Sequence, residues 1–235
     1  MKINLPLIPI SVSLNRKAKV YKSEIVKRDY DKVFVIGFNK TGTTTLKKVL
    51  KLFGFKVGDQ ATAEILAIEL GQTGDMRKIM NYCYTAEAFQ DLPFSSPRLY
   101  KELDKEFPNS KFILSIRDDE NQWFNSVVKF QTKRFSSDPS RPPNEADLDN
   151  AIYRYKGWAL DMKKIYSNYP EVPLYDKEQH IDRYLNHNND VETYFKDRPN
   201  DFLKINVSNS SDFLNLANFL NIKTNMKEFP WMNKT

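Results

Sequence analysis

Apolar residues recur along this chain in two alternating patterns: short runs of β-branched and aromatic residues, and longer stretches in which they return every three or four positions. The short runs predict strands at residues 32–36, 55–57, 88–90, 112–116 and 202–207. The longer stretches predict helices, one after residue 117 and the others at residues 43–53, 61–70, 76–84, 97–107, 145–169, 179–195 and 211–220. Strands that alternate with helices form a parallel sheet covered on both faces, so the pattern predicts an α/β fold with three αβα layers.

Two breaks in the pattern carry further information. Ser95 or Ser96, followed by Pro97, predicts the cap and first turn of the helix that runs to residue 107. Residues 131–145, which begin QTKRFSSDPSRPPN, are polar and rich in proline. Such a segment is typical of a loop, and we expect a mobile loop over a site here.

Charge is concentrated at the start of the chain. The net charge is +6, and residues 1–30 carry seven basic residues against two acidic ones, so the remainder is nearly neutral. We therefore expect a basic arm at residues 1–30, a single domain at residues 31–235, and no nucleic-acid partner. The apolar stretch INLPLIPISVSL is too short and too often interrupted by proline to cross a bilayer, so we expect no membrane span.

Cysteine and histidine are scarce in this sequence. Cys83 is the single cysteine, so no internal disulfide can form, which fits a reducing compartment and a cytoplasmic protein. The two histidines, His180 and His187, are too few for a typical catalytic zinc site. We expect no metal ion.

The segment VFVIGFNKTGTTTL, residues 33–46, predicts a phosphate-binding loop between the first strand and its helix. Gly37 and Gly42 allow a tight turn in which backbone N–H groups and the positive end of the helix dipole face one anion. In the common ATP- and GTP-binding loop a lysine directly follows the second glycine. Here Thr43 holds that position and Lys40 precedes the glycine by two residues, which disfavours an ordinary ATP or GTP site.

Two further polar residues follow predicted strands. Arg117 ends the strand within KFILSIRDDENQWFNSVVKF, and Asp91 ends the strand within FQDLP. Because the carboxyl ends of parallel strands meet at one edge of a sheet, we expect both side chains to share a crevice with Lys40. Each residue also has a structural alternative. Arg117 could form a salt bridge to Asp118 or Asp119, and Asp91 could hydrogen-bond nearby backbone N–H groups.

The loop FNKTGTTTL resembles the 5′-phosphosulfate loop of sulfotransferases, whose usual form is close to PKSGTTxL. Asn39 replaces the usual proline and Thr41 the usual serine. The resemblance implies a fold similar to P-loop nucleotide hydrolases and the donor 3′-phosphoadenosine-5′-phosphosulfate. Its phosphosulfate would be held by Asn39, Lys40, Thr41, Gly42, Thr43, Thr44 and Thr45.

The same resemblance implies roles for the other two motifs. In sulfotransferases a strand-end arginine and a serine on the next helix hold the 3′-phosphate, which here implies Arg117 and Ser126. The usual spacing of eight residues falls on Asn125 rather than Ser126, and either side chain can donate to a phosphate. Many sulfotransferases have a histidine base before Leu-Pro, where this chain has Asp91. We expect Asp91 to be the general base.

The C-terminal part of the chain also resembles one branch of the sulfotransferases, so that the likeness runs from about residue 32 to residue 233. It includes His187-Asn188 on a predicted helix, and His187 could either face an acceptor or pack within the protein. The Arg-Lys-Gly segment that closes many nucleotide sites in this family is missing. Its contact would have to come from Lys133, Arg134, Lys227 or Lys234, or be absent.

The motifs together imply in-line transfer of a sulfuryl group to a hydroxyl or amine of a small-molecule or carbohydrate acceptor. Lys40 would neutralise charge on the bridging oxygen, and Asp91 would deprotonate the acceptor. Sulfuryl transfer does not require the magnesium ion that kinases use to bridge phosphates. Two alternatives are an atypical P-loop kinase or NTPase and a non-catalytic nucleotide-binding module of the same fold.

Overall fold

The computed structural model describes residues 23–25 and 28–230. Within them, four parallel strands form a central sheet and two short strands form a separate antiparallel pair. The strands in chain order are β1 (Ser23–Ile25), β2 (Val33–Val35), β3 (Ala88–Gln90), β4 (Lys111–Ser115), β5 (Phe202–Ile205) and β6 (Ile222–Thr224). The central sheet has the order β3-β2-β4-β5, and β1 pairs with β6. The predicted α/β fold class is confirmed.

Helices cover both faces of the central sheet. In chain order they are α1 (Thr43–Leu52), α2 (Gln60–Thr73), α3 (Arg77–Cys83), α4 (Leu99–Glu106), α5 (Glu120–Phe135), α6 (Glu145–Asn150), α7 (Trp158–Ser167), α8 (Lys177–Phe195) and α9 (Ser210–Phe219). In the described part of the chain, none of these helices is both long enough and apolar enough to cross a membrane.

Alternation along the strands builds the two apolar layers. Val33 and Val35 face one cluster, which includes residues of α1 and α9, while Phe34 between them faces a second cluster that includes residues of α3, α4 and α8. Phe34 stacks on Phe89 and Phe112 at centroid distances of 5.6 and 5.5 Å. Successive side chains of a strand point to opposite faces, so β2 anchors both layers of the sandwich.

The predicted cap at Ser95 or Ser96 is wrong. Helix α4 begins at Leu99, after Arg98 in a left-handed conformation (φ 67°) that provides no side-chain cap. The backbone N–H groups of Ser95 and Ser96 bond to the carbonyls of Asp91 and Pro93, which uses these serines in turns instead. Both serines are buried next to the carboxyl end of β3.

The single helix predicted at residues 145–169 is also wrong, because residues 151–157 separate α6 from α7. Gly157 adopts φ 89° at the cap of α7, a conformation that glycine reaches without strain. Helix α5 instead extends to Phe135, so the predicted loop at residues 131–145 is helical over its first five residues. The predicted strand at residues 55–57 is reduced to one bridge from Val57 to Ala88.

Part of the predicted N-terminal arm packs on the domain. Ser23 pairs with Thr224 in the ladder between β1 and β6, and Arg28 donates to Glu87 at 2.5 Å. Residues 1–22 and 26–27 of that arm lie outside the described residues.

The sheet order fixes the place of the site. Strand β2 lies between β3 and β4. The chain adds β3 on one side of β2 and then β4 on the other, so the strand order reverses at β2. Ligands in open α/β sheets bind beyond the carboxyl ends of the strands at such a reversal. The loop after β2, the residue after β3 and the end of β4 therefore border one crevice.

Candidate active site

The two glycines of the phosphate loop are required by close contacts. A Cβ on Gly37 would lie 2.2 Å from the carbonyl oxygen of Ser115, and a Cβ on Gly42 would lie 2.4 Å from a methyl group of Val207. Gly42 also adopts φ 99°. The loop can thus pass between β4 and the segment after β5 only with glycine at both positions.

Backbone donors gather where the loop enters α1. Gly42 occupies the N-cap position of this helix and provides no side-chain cap. Among the described residues, no hydrogen bond is made by the N–H groups of Gly42, Thr43, Thr44 and Thr45. These donors and the positive end of the helix dipole form an anion-binding corner.

Lys40 joins this corner to the second motif. It adopts a left-handed conformation (φ 69°), and its carbonyl oxygen accepts a hydrogen bond of 2.6 Å from Nε of Arg117. Its Nζ lies 4.3 Å from the ring centroid of Phe130. Burial, assisted by the Arg117 charge, lowers the pKa of Lys40, while Asp91 acts in the opposite direction.

Arg117 has no carboxylate partner in the part of the chain that the structure describes. Asp118 binds the side chains of Gln122 and Asn206, and Asp119 caps α5 through the N–H of Gln122. The salt bridge considered from the sequence is therefore not formed. The guanidinium borders the cavity, with Nε used to hold the loop.

Asp91 faces the same cavity from the end of β3. Its carboxylate accepts the N–H of Leu92 at 2.9 Å and the hydroxyl of Thr43 at 3.1 Å. Burial raises the pKa of Asp91 above its ordinary value, against the effect of these two hydrogen bonds and of Lys40 and Lys47. Asp91 thus makes the backbone hydrogen bond considered as its alternative and also has the pKa shift that favours a base.

The threonines of the loop divide into two groups. The hydroxyl of Thr41 is fully buried, 2.5 Å from the carbonyl oxygen of Phe38 and 2.6 Å from the hydroxyl of Ser115, and it does not border the cavity. Thr43, Thr44 and Thr45 border the cavity. Asn39 does so as well, and its carbonyl accepts a hydrogen bond of 3.0 Å from the indole of Trp123.

Ser126 and Asn125 differ in burial. The hydroxyl of Ser126 is buried and has no partner among the described residues, whereas Asn125 is exposed. Neither residue borders the cavity. Ser126 lies one turn beyond Trp123 on α5, and the loop contact of Trp123 brings this turn of the helix next to Asn39.

His187 is packed within the protein. It is 3% exposed, its Nε2 donates to the carbonyl of Ile36 at 2.8 Å, and its ring stacks on Phe38 at 4.5 Å. It does not border the cavity with Asp91. Lys133, Arg134 and Lys227 are exposed and do not border it either, and Lys234 lies outside the described residues.

The cavity has a volume of about 470 Å³ and extends from the phosphate loop to α7 and α8. Several polar residues that border it were not identified from the sequence: Lys47, Gln60, Glu64, Gln90, Lys163, His180 and Arg183. Glu64 forms an ion pair with Arg154. Lys47 follows Thr43 by one turn of α1, so helical spacing could have identified it. The α7 and α8 residues have no such local signal.

Comparison with known proteins relates this chain to one protein family. A family model described as a sulfotransferase domain matches residues 32–235. No curated protein shows significant sequence similarity to this chain. The described residues contain no group of three or more histidine, cysteine, aspartate or glutamate side chains that could hold a metal ion.

Proposed function

The chain belongs to the sulfotransferase family, and on this premise we propose that it transfers a sulfuryl group from 3′-phosphoadenosine-5′-phosphosulfate to a hydroxyl or amine. The proposal rests on the hydrogen bond from Nε of Arg117 to the carbonyl oxygen of Lys40. This bond holds the two phosphate-binding motifs together beside Asp91. We propose a small molecule or carbohydrate as the acceptor, and the cytoplasm as the location. The single, buried Cys83 is compatible with a reducing compartment.

The residues present fit the donor. The free N–H groups from Gly42 to Thr45 provide donors for a phosphosulfate, together with the hydroxyls of Thr44 and Thr45; the hydroxyl of Thr43 donates to Asp91 instead. Arg117 has no carboxylate partner among the described residues, and Ser126 has a buried, unpartnered hydroxyl; we assign both to the 3′-phosphate. Thr41 would contribute indirectly, by fixing the loop to Ser115.

Two side chains carry the chemistry in this proposal. Asp91 takes the proton from the acceptor as the acceptor oxygen or nitrogen forms its bond to sulfur. The bond from sulfur to the bridging oxygen breaks, and the electron pair stays on that oxygen. Lys40 neutralises the charge that develops there. This electrostatic stabilisation is largest when the protein already holds the charged side chain in position before the reaction. Transfer of this kind needs no bridging magnesium ion, and we propose that none is obligatory.

Calorimetric titration with 3′-phosphoadenosine-5′-phosphate, the product nucleotide, and with ATP tests the donor assignment. We expect micromolar binding of the product nucleotide and no binding of ATP. Binding of ATP alone would overturn the proposal in favour of a kinase or NTPase with an atypical loop.

Turnover is tested with labelled donor and a library of hydroxyl and amine acceptors. Lys40→Ala and Asp91→Asn should each reduce the rate on the order of 10² to 10³, the usual effect of removing such a group. Lys48→Ala, at an exposed position of α1 outside the cavity, should leave the rate unchanged. If the wild-type protein binds the product nucleotide but transfers to no acceptor, the chain is a non-catalytic binding module.

A further inference from the structure

Three basic residues on two helices, α7 and α8, border the cavity. Lys163 on α7 and His180 and Arg183 on α8 border the same cavity as Lys40 and Asp91, and we call these three the basic wall. Lys163 is only 5% exposed. The wall belongs to neither of the phosphate-binding motifs, which follow β2 and β4.

The charged members of the wall have only neutral partners among the described residues. Nζ of Lys163 donates to the carbonyl of Leu174 at 2.9 Å and approaches Nε2 of His180 at 3.5 Å. Nη1 of Arg183 donates to the hydroxyl of Ser167 at 3.3 Å, and its guanidinium lies 5.4 Å from the ring centroid of Phe38. Lys163 is buried and Arg183 is partly buried. Cations withdrawn from water are normally paired with a carboxylate, so the lack of one at both residues indicates a missing anion.

His180 is neutral, so it neither balances the charge of Lys163 nor attracts the missing anion itself. Its Nδ1 lies 2.7 Å from the carbonyl oxygen of Asp176, and since a carbonyl only accepts, Nδ1 carries the proton. Nε2 therefore presents a lone pair to Lys163. Burial lowers the pKa of His180 to about 4, which keeps the ring neutral.

The acidic residues of the cavity are engaged elsewhere. Asp91 binds Leu92 and Thr43, and Glu64 is paired with Arg154. Glu228 is exposed at the end of the described chain. The donor phosphates, in the function proposed above, are held by the loop and Arg117. The basic wall thus remains available to the second substrate.

We propose that the basic wall binds an oxyanion, a carboxylate or a sulfate or phosphate ester, carried by the same acceptor molecule as the reacting hydroxyl or amine. This inference rests on the proposed function, since it assigns the strand-end half of the cavity to the donor. An anion at Lys163 and Arg183 would hold the acceptor by its charge while its hydroxyl extends toward Asp91. The wall would then select acidic acceptors over neutral ones of similar shape.

Matched acid and ester pairs test the charge requirement. The probes are 4-hydroxybenzoate, 4-hydroxyphenylacetate and glucuronate, each compared with its methyl ester by calorimetric titration of the wild-type protein saturated with product nucleotide. We expect at least one acid to bind about ten-fold or more tighter than its ester, as for a hydrogen-bonded charge. Lys163→Met and Arg183→Met should each abolish the preference. Lys164→Met and Lys177→Met, at exposed positions of the same two helices, should retain it.

Proton uptake on binding of the acid gives a second readout, because a lysine with a purely structural role would take up no proton when the acid binds. Burial and the Arg183 charge hold the pKa of Lys163 at about 7, so at pH 8 a bound anion should draw a proton onto it. The groups around Lys163 are Tyr175, His180 and Arg183, none of which titrates near pH 8. Titrations of the acid in Tris and in HEPES should therefore differ in heat for the wild type and agree for Lys163→Met.

Three results would overturn the inference: equal binding of acids and esters, no binding of any acid, or a preference that survives both methionine variants. A fourth is a loss of product-nucleotide affinity in Lys163→Met, because the wall would then serve the donor. Failure of the wild-type protein to bind the product nucleotide would instead overturn the proposed function. The acids would in that case be titrated on the nucleotide-free protein, so the two failures remain distinguishable.

Discussion

Asp91 combines two properties: hydrogen bonds hold its carboxylate in place, and its pKa is nevertheless higher than that of an exposed aspartate. The bonds from Leu92 and Thr43 orient the group and favour its ionised form. Burial outweighs them and raises its pKa. A base must be ionised to act, so if Asp91 is the base as proposed, the rate should fall as the pH drops through this raised pKa.

Thr43→Val tests this balance. Loss of the hydroxyl removes one stabilising bond from the ionised Asp91, so the pKa of Asp91 should rise further. The acidic limb of the pH profile of kcat/KM should move to higher pH, and Thr73→Val, which removes an exposed hydroxyl on α2, should leave it in place. An unmoved limb in Thr43→Val would show that Asp91 is not the group that titrates in the profile.

Lys163 should reduce the stability of the folded protein at neutral pH. Burial lowers its pKa from about 10.5 to about 7, so between these values the unfolded chain binds more protons than the folded one. Its destabilising effect is therefore complete below pH 7 and disappears as the pH rises towards 10.5.

Lys163→Met should accordingly raise the Tm at pH 7 by roughly 3 °C or more, since each kcal/mol shifts a domain of this size by about 2–4 °C. The gain should shrink between pH 7 and pH 9, and Lys164→Met should show no such trend. A lower Tm at every pH would mean that the bond from Lys163 to the Leu174 carbonyl outweighs the cost of burial.

At the scale of elements, local pattern and tertiary contact explain different parts of the site. The strands β2 and β3 and the helix α1 follow from their apolar patterns, and parallel strand ends bring Lys40, Asp91 and Arg117 together. The sequence could not show that the side chain of Thr41 bonds to Ser115 instead of bordering the cavity, because Ser115 is 74 residues away. The basic wall depends on how α7 and α8 pack, which no local spacing encodes.

Two helices were predicted incorrectly, α4 and the helix at residues 145–169, because local sequence patterns do not show where they begin or break. Residues 151–157 carry enough aromatic side chains to continue a helical pattern, yet Tyr153 packs on Trp158 at 4.9 Å in an irregular segment. Gly157 and Arg98, both at positive φ, start α7 and α4 without side-chain caps. Sequence signals for helix starts rely on such caps, so they misplace these two helices.

Gly42 provides a test of the junction between β2 and α1. Gly42 and Gly54 both have positive φ, at 99° and 96°, but a Cβ on Gly54 would meet nothing within 4 Å, whereas on Gly42 it would meet Val207. Gly54→Ala should cost about 1 kcal/mol of unfolding free energy from backbone strain. Gly42→Ala should cost more and should also weaken product-nucleotide binding, because the loop must shift.

The double variant Gly42→Ala/Val207→Ala identifies the cause of that loss. Chemical denaturation and nucleotide titration should both show partial recovery, since the methyl groups that meet the new Cβ are removed. No recovery would assign the whole effect to the backbone angle. Equal costs for Gly42→Ala and Gly54→Ala would show that the contact with Val207 relaxes freely.

At the scale of the whole molecule, the cavity lies between two parts of different construction. One side consists of strand ends and the loop, fixed by the sheet and by long-range bonds such as that from Arg117 to Lys40. The other consists of α7, which packs on α2, and α8, which packs on α5 and also bonds through His187 to the carbonyl of Ile36 after β2. In the function proposed above, the donor would also contact Ser126 on α5, the helix on which α8 packs, and so would connect the two parts.

Ligand-induced stabilisation measures this connection without a known acceptor. Product nucleotide at 100 times its Kd should add about 2.7 kcal/mol of stability, which corresponds to a rise in Tm of roughly 5–10 °C for a domain of this size. Because the proposed donor site consists of Lys40, Arg117, Ser126, threonine hydroxyls of the loop and backbone donors, with no metal ion, EDTA should leave both the Kd and this rise unchanged. A rise that disappears with EDTA and returns with magnesium would show that a metal ion takes part in donor binding. ATP at the same concentration is the matched control and should leave the Tm where it is, since the lysine of the loop precedes Gly42 instead of following it.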